Sequence, residues 1–414
     1  MNAADTAFVL VSAALVLLMT PGLALFYGGM VRSKNILGTL MHSYVLIGVI
    51  SVEWALVGYS LAFGPDHHGL IGGLDWAGLA GIGQDVFKEP YSKAYTETVP
   101  ALAHMAFQMM FAVITPALIS GAFAERVKFS AFLVFSLIWA LIIYNPLAHW
   151  VWGIDGWLRN MGALDFAGGA VVHMSSGASA LAFCLFLGKR KNHGHEPFIP
   201  HNLPMTILGA GLLWFGWFGF NAGSALAANG LAASAFVTTH LAASAASLSW
   251  ILAEWLHHGK PTTLGLASGA VAGLVAITPA AGFVTPMASI IIGLVGGVVC
   301  YLGVNIKNVF RYDDALDVVG VHGLGGTWGA LATGIFATTG VNPADTGGGD
   351  GLLYGNPGQL WIQFVSVVAT WVFCFVGTLV ILYVVNMFVK VRVSESDEDK
   401  GLDVSQHGET GYQN

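Results

Sequence analysis

The sequence predicts an all-α polytopic membrane protein: eleven transmembrane helices, built as two inverted five-helix repeats plus a final helix, with the N-terminus outside and the C-terminus inside. Three observations lead there: the scarcity of charge, the recurrence of apolar stretches of spanning length, and a one-sided distribution of Lys and Arg. Only 9% of the 414 residues are charged, against about 25% in a soluble domain. Mean hydropathy is +0.70.

The apolar stretches fall at 7–30, 40–63, 101–123, 129–149, 168–188, 203–224, 231–256, 263–281, 285–305, 318–338 and 358–390. A helix needs about 20 apolar residues to cross a bilayer, and the last stretch is long enough to tilt or protrude. Glycine supplies 54 residues, and small residues let membrane helices approach closely. No basic residue precedes Arg32, so the first stretch lacks a charged leader and reads as an uncleaved first helix. With the N-terminus outside, all 16 basic residues except Lys88, Lys93 and Arg159 lie inside. The positive-inside rule then orients the chain in a cell inner membrane.

Residues 64–100 are too polar to span and read as an external loop beside any vestibule. Residues 1–393 form the transmembrane domain and 394–414 a cytoplasmic tail. The tail sets Glu395, Asp397, Glu398, Asp399, Asp403 and Glu409 against Lys400, the composition of a solvated, disordered end.

An internal echo supports the repeat. Ala163-Leu164-Asp165 with His173 opens the fifth span, and Ala315-Leu316-Asp317 with His322 opens the tenth, with unequal gaps before the histidine. The two spans run in opposite directions, the plan that places a transport path between halves. Asp165 and Asp317 read as caps that accept unpaired amide hydrogens at helix starts.

No Walker loop, dinucleotide fingerprint or metal-ligand cluster occurs, and Gly347-Gly348-Gly349 lacks a following Lys-Ser/Thr. The expectation is a protein that is not an enzyme, with no cofactor, metal or nucleic-acid partner, embedded in lipid. Cys184, Cys300 and Cys374 sit in apolar spans and build no disulfide framework.

Eight histidines, His67, His68, His193, His195, His201, His257, His258 and His407, fall in loops or the tail and read as solvated. His173 and His322 differ, because each lies within a Gly-rich span, and an ionisable group at membrane depth marks function by default. Two facing imidazoles can share a proton and line a narrow apolar path; equally, each can bond a neighbouring helix and fix packing. His42, His104, His149 and His240 have no echoing partner and read as structural or interfacial.

Phe107 and Phe111 share a face of the third span, and Phe220 and Ser224 share one on the sixth, with Trp217 nearby. Such stripes are ordinarily core or lipid-facing. A functional alternative has Phe111 and Trp152 attracting a cation, worth about 0.5–2 kcal/mol, with the Ser224 hydroxyl accepting a hydrogen bond. Trp152 also suits a headgroup anchor.

Longer motifs resolve these alternatives. They are Asp165-Phe166-Ala167-Gly168-Gly169 with Val171-Val172-His173, Pro200-His201-Asn202-Leu203-Pro204, Gly216-Trp217-Phe218-Gly219-Phe220-Asn221-Ala222-Gly223-Ser224, Ala124-Glu125-Arg126, Gly320-Val321-His322-Gly323 and Gly401-Leu402-Asp403 with His407-Gly408-Glu409. Through them the chain resembles the ammonium transporter (Amt/MEP/Rh) family, bacterial Amt-type, along nearly its whole length. The resemblance implies a homotrimer of eleven-helix protomers, each with its own pore. Phe111, Trp152 and Ser224 would recruit ammonium, Phe107 and Phe220 would pinch the pore, and His173 and His322 would be the twin pore histidines. Asp165 and Trp217 would support the site. Ammonium would be deprotonated and pass as ammonia, since an unpaired ion in a dry passage is costly. The tail would cooperate with a GlnK-type PII signalling protein in nitrogen regulation. Many bacterial relatives carry a cleaved leader where this chain begins almost directly with its first helix.

Two rivals follow. An ammonium sensor with little or no flux would keep the fold and site, although no extra signalling domain follows the last span. A channel for carbon dioxide or water would use the same pore, but the Phe111, Trp152 and Ser224 trio favours a cation-recruiting entrance.

Overall fold

In hydrocarbon each backbone N–H and C=O must be paired within its own segment, so apolar stretches fold as helices. In the computed structural model, which describes residues 1–344 and 347–412, they do so as α1 (Ala3–Met30), α2 (Ser33–Phe63), α3 (Ala101–Ile119), α4 (129–152), α5 (Gly169–Leu187), α6 (Leu203–Gly223), α7 (Gly230–His258), α8 (Thr263–Ile277), α9 (Pro286–Phe310), α10 (319–336) and α11 (Pro357–Phe388). Their ends lie within four residues of those read from hydropathy, apart from the start of α2 and the end of α9. Asn2, Asn202, Asn229, Thr262 and Thr285 each accept a first-turn N–H, starting α1, α6, α7, α8 and α9.

The two halves meet along α1 against α6 and α5 against α10. A Cβ at Gly209 would strike the backbone of Phe26, so α6 can lie on α1 only with glycine there. A Cβ at Gly177 would likewise strike the backbone of Gly323. That crossing brings α5 and α10 into near backbone contact at the centre of the bundle.

The repeat register differs from the one read in the sequence. Asp165 accepts N–H bonds from Gly168, Gly169, Ala170 and Val171 at the start of α5. Its counterpart before α10 is Asp314, which accepts from Val319 N at 2.7 Å. Asp317 instead pairs with Lys307 and stands at φ +64°. In the corrected register each aspartate precedes its histidine by eight residues, Asp165 to His173 and Asp314 to His322. Each cap feeds a π-turn, Gly169–Met174 and Val319–Leu324, a local widening common at functional sites.

The external loop carries a small hairpin, β1 (Asp66–His67) paired with β2 (Ile71–Gly72), and folds over the outer ends of α2 and α4. Tyr95 ties it down, donating its hydroxyl to Phe63 O at 2.8 Å and accepting Ile154 N at 2.9 Å.

On the inner side a knot of buried charges joins four loops. Arg32 grips Glu125 through Nε and Nη2, and Arg190 bridges Glu125 and Asp313. Arg126, fully buried, also reaches Asp313. Burial alone would raise the Asp313 carboxyl, but the hydrogen bonds and charges of Arg190 and Arg126 overcome it and hold it well below the usual carboxylate range.

The tail is not the solvated end that its composition suggests. Ser394 caps a short helix, Glu395–Lys400. Lys191 pairs with Asp399 at 2.6 Å, Lys34 donates to the carbonyls of Glu398 and Asp399, and Leu402 N donates to Asn35 Oδ1. Asp403 Oδ1 accepts Gly38 N at 2.9 Å in the first turn of α2. The acidic side chains and carbonyls of the tail thus lie against the basic inner loops.

Candidate pore and its outer mouth

α3, α4, α5 and α6 bring the sequence-selected aromatic residues to one place. On the outer side an open vestibule of about 540 Å³ is lined by Phe111, Trp152 and Ser224 together with Tyr95, His104 and Gln108. Phe111 and Trp152 stand edge to face with ring centroids 6.0 Å apart. The Ser224 hydroxyl donates to Phe220 O at 2.8 Å, which leaves its oxygen lone pairs available. Trp152 is fixed by its indole N–H, which donates to Asp165 O at 3.0 Å, so the Asp165 cap also holds the mouth.

Beneath the vestibule the closest aromatic pair is Phe111 with Phe220, centroids 4.2 Å apart. Phe107, expected to face Phe220, stands behind Phe111 at 5.0 Å, fully buried. The i, i+4 spacing placed both phenylalanines on one face but could not say which ring reaches furthest.

Below the rings lies a cavity of about 10 Å³ lined by His173, His322, Trp217, Phe220, Val172 and Leu213 among other apolar side chains. That is about the space one water-sized solute needs. The imidazoles of His173 and His322 face each other, centroids 5.3 Å apart and planes 30° apart, with Nδ1 to Nδ1 at 3.2 Å. Trp217 stacks on His173 at 5.4 Å and donates its indole N–H to Thr278 Oγ1 at 2.9 Å. His173 is 1% exposed, and among the described residues no protein group bonds its Nε2.

An Nδ1–Nδ1 hydrogen bond has one donor and one acceptor, so the two rings must be opposite tautomers. One Nε2 then carries a proton and the other a lone pair; they exchange roles only when a proton is taken up at the bare Nε2 and another leaves the protonated Nε2 as the shared proton crosses the Nδ1–Nδ1 bond. On the far side His322 also borders an inner cavity of about 60 Å³ lined by Phe26, Tyr27, Ser268 and Asp317. Vestibule, ring pair, histidine cavity and inner cavity therefore follow one another across the bundle.

Sequence reasoning missed Thr278, Tyr95, Gln108 and His104. Gln108 had a signal, three residues before Phe111 on the same helical face. Tyr95 had none, because a loop delivers it. His42, His104 and His149 are at most 3% exposed rather than interfacial, and His149 bonds Ala62 O and Asp66. His240 lies on the outer surface of α7. Of the histidines read as solvated, His201 bonds Val31 O at 2.8 Å and His257 bonds Tyr301 at 2.7 Å.

The family model that matches is the ammonium transporter family, over residues 7–412. The chain is 56% identical to an ammonium transporter of Bacillus subtilis, covering 100% of this chain and 99% of that one. It is 46% identical to ammonium transporter Amt1 of Archaeoglobus fulgidus, covering 100% of both. Among solved structures, Mep2 of Candida albicans superposes with a TM-score of 0.89 at 37% identity, over 96% of this chain and 88% of that one. A sensor Amt protein superposes with a TM-score of 0.87 at 29% identity, over 98% of each. These are proteins of transport and sensing rather than enzymes. The chain is a multi-pass membrane protein that belongs to the ammonium transporter family.

Proposed function

We propose that the chain carries ammonium nitrogen across a cell inner membrane: ammonium is recruited at Phe111, Trp152 and Ser224, loses a proton, and passes as ammonia between His173 and His322. The observation that carries this reading is the facing histidine pair in an apolar-walled cavity with room for one small solute. A naked cation there would lose its hydration against an apolar wall. Ammonia needs only one donor and one acceptor, which the opposed tautomers supply at their Nε2 positions, and the Nε2 of His173, unbonded among the described residues, supports that use. At the mouth, ring faces and a hydroxyl lone pair favour the cation. Phe111 against Phe220 is the gate, with Phe107 as its backing; Asp165 and Trp217 hold the site in register.

The assembly is a homotrimer, and the cytoplasmic face receives a GlnK-type PII protein, with the tail 394–414 acting as the regulatory segment. The family resemblance supports both, and the docked tail supplies an ordered surface for the second. Pull-down from membranes under nitrogen excess, with and without the tail, tests the partner; an intact chain that retains no such protein removes it.

Purified protein in liposomes under an ammonium gradient, with current and internal pH recorded together, tests the transport reading. Ammonium-dependent flux above that of empty liposomes is expected. His173→Ala and His322→Ala should each change it by about tenfold, the equivalent of one hydrogen-bonding station at about 1.4 kcal/mol. The likeness to the sensor Amt protein favours one second reading: ammonium binding without flux in well-folded protein would make this chain a sensor.

A further inference from the structure

Outward of Phe111, the α3 wall of the vestibule carries two polar side chains that the proposed path leaves unused. His104, Gln108 and Phe111 stand at i, i+4 and i+7 of α3, and all three line the vestibule. His104 is 1% exposed. Its ring is stacked on Tyr95 at 5.2 Å and meets Phe63 and Phe87 edge to face at 5.1 and 5.5 Å. Its Nδ1 lies 2.9 Å from the Tyr59 hydroxyl. Among the described residues no protein group bonds the His104 Nε2 or the Gln108 amide.

Counting donors fixes the tautomer. Tyr59 is fully buried, and its hydroxyl has His104 as its one hydrogen-bond partner among the described residues. Were Nδ1 to donate, the phenol hydrogen would be buried without an acceptor, a costly arrangement. The phenol therefore donates to Nδ1, and Nε2 carries the imidazole proton. The vestibule wall then presents a fixed N–H from His104 and, one turn deeper, an amide that can donate or accept.

We propose that His104 and Gln108 form an outer subsite for a small neutral solute with a lone pair, either water shed by the arriving ion or ammonia itself. The His104 Nε2–H donates to that lone pair, and the Gln108 carbonyl oxygen accepts a hydrogen from the same solute. A solute held between them lies one to two helical turns, roughly 5–10 Å along α3, outside Phe111, where an ion exchanges hydration for the aromatic mouth. This subsite rests on the transport reading above for its purpose but not for its existence.

The first test is nitrogen NMR of the full chain labelled with 15N-histidine, assigned by loss of signal in His104→Phe. A protonated Nε2 and unprotonated Nδ1 are expected. A water source gives exchange cross-peaks from Nε2–H to water that are indifferent to added ammonium chloride. An ammonia source gives an Nε2–H shift that grows with pH at fixed total ammonium. An unprotonated Nε2, or a protonated one showing neither behaviour, overturns the subsite.

The second test is methylammonium uptake into vesicles. His104→Phe, which keeps an aromatic ring in the box but also leaves the Tyr59 hydroxyl without its acceptor, should raise KM about 2- to 10-fold with Vmax unchanged, as the solute loses one hydrogen bond. His104→Gln, whose amide nitrogen falls near the lost Nε2, should restore KM to within about twofold. An unchanged KM in His104→Phe, or equal loss of Vmax in both variants, shows a packing role and overturns the proposal. If the parent shows no uptake, the transport reading fails while the NMR result still decides the subsite.

Discussion

Trp152 is placed by one hydrogen bond and one ring contact: its indole N–H on Asp165 O and its edge-to-face meeting with Phe111. Removing its ring face tests recruitment while keeping both members of the Phe111–Phe220 pair. Trp152→Leu should raise the KM for methylammonium uptake by about 2- to 30-fold, the range of a cation–π contact of about 0.5–2 kcal/mol, and an unchanged KM would remove Trp152 from the recruitment site. Asp313 offers a second residue-level test. Its carboxyl is held below the usual range in the folded protein, so its stabilising contribution is present above the unfolded value, near pH 4, and is lost as pH falls through the lower folded value. Asp313→Asn removes one partner of a buried pair and should cost about 3–5 kcal/mol at neutral pH. Melting temperatures of parent and variant should differ widely at pH 7 and converge in acid. The sequence exposed neither the misassigned cap nor this knot: Asp317 matched the echo by neighbouring residues, whereas Asp314 matches it by its distance of eight to the histidine.

At the scale of the element, His173 and His322 face each other because α5 and α10 cross where both are glycine. Gly177 leaves no room for a side chain against Gly323, and one π-turn lies just before the crossing on α5 while the other contains Gly323 on α10. Gly177→Leu must therefore push the helices apart. It should lower thermal stability by about 1–3 kcal/mol through overpacking and abolish flux even where the protein remains folded. Full flux in that variant would show that the crossing does not position the histidines. Helix positions themselves were legible, because the cost of transferring each segment into lipid is a local sum over its own residues. Which rings of a helix face touch was not, as Phe107 and Phe111 demonstrate.

For the whole molecule, inner-face electrostatics join tail and bundle. The acidic tail lies on Lys34, Lys191 and the start of α2, so its composition signalled complementarity to basic loops that lie far away in sequence. Asp403→Asn should weaken the contact with the first turn of α2 and release the tail. Limited proteolysis of right-side-out and inverted vesicles checks this: faster cleavage after residue 393 is expected in inverted vesicles alone, and equal rates in parent and variant would show that Asp403 does not hold the tail.

The sequence by itself determined that this chain lives in lipid, where its apolar helices lie and to which family it belongs. Hydropathy, charge asymmetry and contiguous motifs are properties read along the chain, and each needs no knowledge of distant neighbours. Only the tertiary structure decided the repeat register, the Phe111–Phe220 contact, the 3.2 Å approach of the two imidazoles and the docking of the tail. The register turns on local cap geometry; the other three depend on how side chains from segments a hundred or more residues apart fill one another's space, and packing at that range leaves no periodic mark in either segment alone.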